Sequence, residues 1–155
     1  MKSSFDLFTD ALLEKFGQDA LENDGDNQIS LAVNDFLILF HYFPDSEKLL
    51  IASCIAPLPH ENRENLLLRL LQGQYFFHKT AGMTLSVDNG GTFIALQTCI
   101  DAHALSLDDF FTILDNFVHV AEYWAKECAK NSGDPAPEID QTGDKLACLT
   151  QWLRA

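Results

Sequence analysis

Chemistry in this chain of 155 residues would have to come from five histidines, four cysteines, a few acidic clusters or one glycine-bearing corner. The corner is Asp88-Asn89-Gly90-Gly91, within the stretch LSVDNGGTFIAL. A phosphate cradle or a metal loop is one reading of it. A cradle wants a helix directly after the glycines, so that backbone amides converge on the anion at the helix N-terminus. Here Ile94, Leu96 and Ile100 alternate with Phe93, Ala95 and Gln97, which is a strand pattern. Asn-Gly and Gly-Gly also tolerate the positive φ of a tight hairpin turn. The corner therefore reads as a turn.

The remaining candidates are as sparse. His41, His60, His78, His103 and His119 are dispersed, and no two share the i, i+4 spacing of a helical metal site. Cys54, Cys99, Cys128 and Cys148 form no CxxC pair and have no histidine at ligand spacing. Cys99 with His103 is a conceivable nucleophile and base, but no oxyanion loop or orienting group accompanies them. Asp24, Asp26, Gln28 and Asp35 fall roughly where an EF-hand places its ligands. Ile29 then stands where the sharp turn needs glycine, and an aspartate replaces the bidentate glutamate. GxSxG, P-loop and HExxH motifs are absent from the sequence. The expectation is a protein that is not an enzyme and uses no cofactor or metal.

The charge balance narrows the partners. Ten basic residues face 23 acidic ones, a net charge of -13. The basic footprint of a nucleic-acid binder is missing, and an anionic membrane surface is disfavoured for the same reason. A basic or amphipathic polypeptide partner is compatible with this charge. The opening MKSSFDLFTD carries an acid at position 6 and no continuous apolar core, so it does not read as a signal peptide. Free thiols in a reducing cytoplasm are the expected state of the cysteines.

The elements that would position any site follow from the hydrophobic pattern. Ser3-Ser4-Phe5-Asp6 is a capping box, and Phe5, Phe8, Leu12 and Phe16 recur at helical spacing, which predicts a helix over 4–16. The polar stretch LENDGDNQIS reads as an entry loop. Ile29, Leu31 and Val33 alternate with small residues, Phe36 to Phe43 is almost wholly apolar, and Leu49 to Ile55 is a third strand. Short connections make these three an antiparallel meander. A helix over about 61–72 follows, then the hairpin around the glycine corner, then a long helix over about 107–130 capped by Ser106-Leu107-Asp108-Asp109. The fold class is α+β: an antiparallel twisted sheet, a meander plus a hairpin, with three helices in the order α-β-β-β-α-β-β-α. Residues 1–130 are expected to form a single domain. Residues 131–155 read as a linker, NSGDPAP, and a short amphipathic tail carrying Leu146, Leu149, Trp152 and Leu153.

Two apolar features exceed what one small sheet needs. The second and third strands lack clean alternation, as strands do when both faces are covered or one face awaits a partner. The second helix carries Leu66, Leu67, Leu68, Leu70 and Leu71 within six positions. A sheet buries one stripe of a helix, so the others need a second cover. Another copy of the chain across a two-fold axis would supply it, and deep burial within the monomer is the alternative.

The ordered set resembles the class I chaperones of bacterial type III secretion. The carriers are FDLFTDALLEKFG, IAPLP, LLRLLQGQYF, MTLSVDNGGTFIALQ and LDDFFTILDNFVHVAEYW, over about 5–130 of an acidic chain. Family members often have an asparagine near the end of the leucine-rich helix, where this chain has Gln72-Gly73-Gln74. The resemblance implies a cytoplasmic homodimer without cofactor. Such a dimer binds the N-terminal segment of a secreted effector and keeps it non-globular. A regulator that sequesters another protein on the same scaffold is the alternative. The implied dimer surface is the second helix with its neighbouring strand: Leu66, Leu67, Leu70, Leu71, Tyr75 and Phe93. The implied effector surface is the first helix and the sheet: Phe5, Phe8, Leu12, Phe16, Ile29, Leu31, Phe36 and Ile38. Ordinary core is the alternative for each of these, and Leu12 and Ile29 suit it at least as well.

Overall fold

The computed structural model describes residues 3–130; the linker and amphipathic tail expected over 131–155 lie outside the described residues. Helix α1 (Ser4–Phe16) begins at the expected capping box. The Ser3 hydroxyl accepts from the Asp6 amide, and the Asp6 carboxylate accepts from the Ser3 amide. Strands β1 (Leu21–Gly25), β2 (Gln28–Val33), β3 (Phe36–Phe43) and β4 (Lys48–Pro57) follow, then α2 (Arg63–Gln74), β5 (Thr84–Val87), β6 (Phe93–Asp101) and α3 (Leu107–Ala129). One-turn helices follow α1 and α2.

The strands form one six-stranded antiparallel sheet in the order β1-β2-β3-β4-β6-β5. The hairpin therefore joins the meander through β6, its second strand, and β5 becomes an edge. Strand β1 corrects the entry-loop reading of LENDG: it pairs Leu21 with Leu31 and Asn23 with Ile29. As an edge strand it can be polar without cost, which hid it from a hydrophobic criterion.

The two faces of the sheet differ. Ile29, Leu31, Ile38, Phe40, Leu49, Ile51, Ile94 and Leu96 share one face and one core with the buried residues of all three helices. Helix α3 supplies Phe110, Leu114, Phe117, Ala121, Trp124 and Cys128, a stripe at alternating spacings of four and three that lies along the sheet. Phe8 stacks on Phe110 at 4.7 Å between ring centroids, which ties α1 to α3. On the opposite face Leu39, Ala52 and Cys54 form a separate small cluster with Leu50 and Phe93. Strand residues alone make up that cluster.

Candidate functional site

The glycine corner is a self-satisfied turn. One Asp88 carboxylate oxygen accepts from the amides of Thr92 and Phe93, each at 2.6 Å, and the other accepts from Gly90 at 3.2 Å. Gly91 takes φ 65°, and its carbonyl accepts from Arg63 Nη2 at 3.1 Å. The carboxylate that would have held a metal is thus turned onto its own backbone, and the corner pins the start of α2 to the hairpin. His103 lies 3.3 Å from Glu47, across the β3–β4 turn. Among the described residues no group of three His, Cys, Asp or Glu side chains could hold a metal ion. No described helix is long and apolar enough to cross a membrane.

Burial of Cys128 pushes its thiol up to about 11, so this cysteine is a packing residue in α3 rather than a nucleophile. His41 is half-buried on the sheet face opposite the helices, paired in register with Gln28 and Leu50. Burial lowers its pKa, and its Nδ1 is buried with no hydrogen-bond partner.

What remains available is apolar surface. Of the eight residues expected at an effector surface, Phe5, Phe8, Leu12, Ile29, Leu31, Phe36 and Ile38 are core, none more than 7% exposed. The stripe of α1 and the inner face of β2–β3 close on each other and on α3, so these side chains are already in contact with the protein's own interior. Phe16 keeps some free surface, and on the other side of α1 Leu7 is half exposed.

The dimer set divides in the same way. Leu66 and Leu70 point inward with Gly73 and are buried. Leu67 and Phe93 are half-buried, the latter on the outer face of the sheet. Leu71 and Tyr75 are 71% and 66% exposed. The count of leucines had predicted more apolar surface on α2 than the sheet could cover, and Leu68 and Leu71 are that surplus. Two residues that pattern reading passed over extend it: Phe76 at 81% and Phe77 at 50% exposure, immediately after the helix. Their side-by-side aromatic identity at a helix end was the available signal.

Gly73 allows α2 to sit tightly against α3. A Cβ there would lie 2.2 Å from the Trp124 ring. The seam also carries Arg69 Nη2 at 2.6 Å from Glu127, with Lys130 bonded to the other carboxylate oxygen. That hydrogen bond from Lys130 is the main cause holding the Glu127 carboxyl below its ordinary range.

Several solved structures share this architecture. Chains of the HopA1–SchA chaperone–effector complex match at 18% identity and a TM-score of 0.56, over 81% of this chain and 99% of that one. The ExsC–ExsE complex matches at 18% identity and 0.66, over 81% and 96%. The heterodimeric ExoU–SpcU complex from the type III secretion system of Pseudomonas aeruginosa matches at 16% and 0.59, over 76% and 94%. At these identities the likeness carries the fold. No curated protein sequence matches the chain. Residues 9–125 match the sequence model of the Tir chaperone protein (CesT) family, from within α1 through most of α3. With three quarters of its length matched, the chain belongs to the Tir chaperone protein (CesT) family.

Proposed function

We propose that the protein binds the N-terminal segment of a secreted effector, acts as a homodimer, and keeps that segment non-globular while itself remaining in the cytoplasm. The observation that carries this reading is the uncovered apolar surface on a family fold: Leu68 and Leu71 on α2 and Tyr75 just after it stand in solvent, beside the half-buried Leu67. Two copies joined along that helix would bury it, and a C2 contact needs only one such patch per chain. Phe93, on the outer face of the sheet, would extend the contact past α2.

The client surface we assign to α1 and the β1–β2 side of the sheet. Leu7 is half exposed there, and Phe16, Leu21 and Val33 are half-buried with some apolar area free. Phe5, Phe8, Leu12, Ile29, Leu31, Phe36 and Ile38 form the layer beneath them and hold them in place. An extended client gains on the order of 25 cal/mol per Å² of apolar area buried. The exposed edge of β1 can pair with its backbone, so amides are satisfied without a globular fold.

Co-expression with N-terminal fragments of candidate effectors, followed by affinity capture, tests this. A stable complex that survives gel filtration is the expected result. Recovery of a transcriptional regulator alone, with no secreted protein, would favour sequestration on the same scaffold and overturn the proposal.

A further inference from the structure

The sheet has two edges, β1 and β5, and they differ in how they meet another strand. A sheet edge is a row of N–H and C=O groups that a further strand can pair with. Which residues present those groups follows from the ladders. On β5 the Asp88 amide donates to the Phe93 carbonyl, so alternation bonds Ser86 and Thr84 to β6 and turns Leu85 and Val87 outward. On β1 the phase is set through β2. The Tyr42 amide donates to the Asn27 carbonyl, so Ile29 and Leu31 bond to β3, and Ser30 bonds to Glu22. Leu21 and Asn23 are then the outward residues of β1.

By composition β5 is the edge more prone to pairing. Thr84-Leu85-Ser86-Val87 carries no charge, and each of the four is half-buried. Strand β1, Leu21-Glu22-Asn23-Asp24-Gly25, is exposed after its first residue and has a register shift between Asn23 and Gly25. Charge and irregularity are protections that edges commonly carry. Two copies of β1 side by side would also set like charges against each other.

Strand β5 has neither protection, and Gln74 stands at its edge. The Gln74 side-chain oxygen, Oε1, accepts from the Leu85 amide at 2.7 Å. That is an outward N–H which an incoming strand would need. Gln74 ends α2, and the residue before it, Gly73, seats the helix against the Trp124 ring. The helix also packs on β5, so its last side chain is held where the strand edge begins. Water can satisfy an edge amide nearly as well as a side chain, so hydrogen-bond balance alone does not call for this contact.

We infer that Gln74 closes the β5 edge to incoming strands. A strand arriving there would have to displace a tethered acceptor from the Leu85 amide before its own ladder could form. With β5 closed, β1 is the edge left to a client, which is the reading proposed above. The closure of β5 does not depend on what binds at β1.

Amide exchange followed by NMR on the full ¹⁵N-labelled chain tests it, with and without a short peptide of alternating valine and lysine as the strand probe. In the wild type the peptide slows exchange at Asn23 and leaves Val87 unchanged. In Gln74→Ala the Leu85 amide exchanges several-fold faster without peptide, and added peptide slows Val87 several-fold. Gln74→Glu keeps an acceptor at the same reach and behaves as the wild type. Gln74→Asn withdraws the acceptor on a shorter side chain and behaves as Gln74→Ala. Slowed exchange at Val87 in the wild type would overturn the inference. So would opened variants in which the peptide leaves Val87 unchanged, since Gln74 would then merely tie α2 to β5. The expected response at Val87 with no effect at Asn23 would uphold the closure and count against the client reading instead.

Discussion

Helices α1 and α2 are both short, apolar and N-terminal to a run of strands, yet they end in opposite conditions. In α1 the large apolar residues Phe5, Phe8 and Leu12 fall on one stripe, and that stripe is buried against α3 and the sheet. In α2 the leucines come nearly consecutively, so only Leu66 and Leu70 reach the core while Leu68 and Leu71 face water. Spacing, not apolar content, decides which helix is a structural strut and which also presents a surface. A helix with more apolar residues than one stripe can hold leaves a surplus exposed, and the use proposed for it here is a partner.

The contrast predicts unequal costs for truncation. Phe8→Ala removes a ring stacked on Phe110 and should lower stability by about 3–5 kcal/mol in urea unfolding. Leu71→Ala should change the stability of the monomeric fold by about 0.5 kcal/mol or less. Equal costs would erase the distinction between the two helices. Next in size is the seam that holds α2 in place. Gly73→Ala puts a methyl into the Trp124 ring and should cost ~1–3 kcal/mol, with a changed near-ultraviolet tryptophan spectrum. A neutral result would mean that α2 is not fixed by that contact.

The hairpin corner should cost about as much to disturb. Asp88→Ala leaves the amides of Thr92 and Phe93 without their acceptor, at about 1–3 kcal/mol, and hydrogen exchange should rise first in residues 88–93. The smallest effect is on the outer sheet face. Burial holds His41 below 6.5, the value taken in the unfolded chain. Between the folded and unfolded pKa the unfolded chain binds more protons, so stability rises with pH there. The contribution is therefore fully present above about pH 6.5 and is lost as pH falls through the folded pKa. His41→Phe should flatten that part of a stability-against-pH curve.

Much of the fold was legible because its elements obey simple periods. The capping boxes at Ser3 and Ser106, the i, i+3, i+4 stripes of α1 and α3, and the alternation around the glycine corner each name their element. Strand β1 was not legible from hydrophobicity, because an edge strand needs no apolar face; the Asp24-Gly25-Asp26-Asn27 turn was its readable trace. The site was harder. Composition showed that α2 had apolar residues to spare, but not which of them. Leu66 and Leu70 were assigned outward because a run of leucines has no phase, and only packing against Trp124 through Gly73 sets it. Likewise Phe5 and Phe8 looked like part of a client groove because their cover, β3 and α3, lies far away in sequence, with Phe110 about 100 residues from Phe8.

Light scattering coupled to gel filtration tests the central claim, that the exposed side of α2 is a homodimer surface. Wild-type protein should elute at twice 17.4 kDa. Leu71→Asp/Tyr75→Asp should elute at 17.4 kDa with an unchanged circular dichroism spectrum. A monomeric wild type, or a dimer untouched by that double substitution, would contradict it.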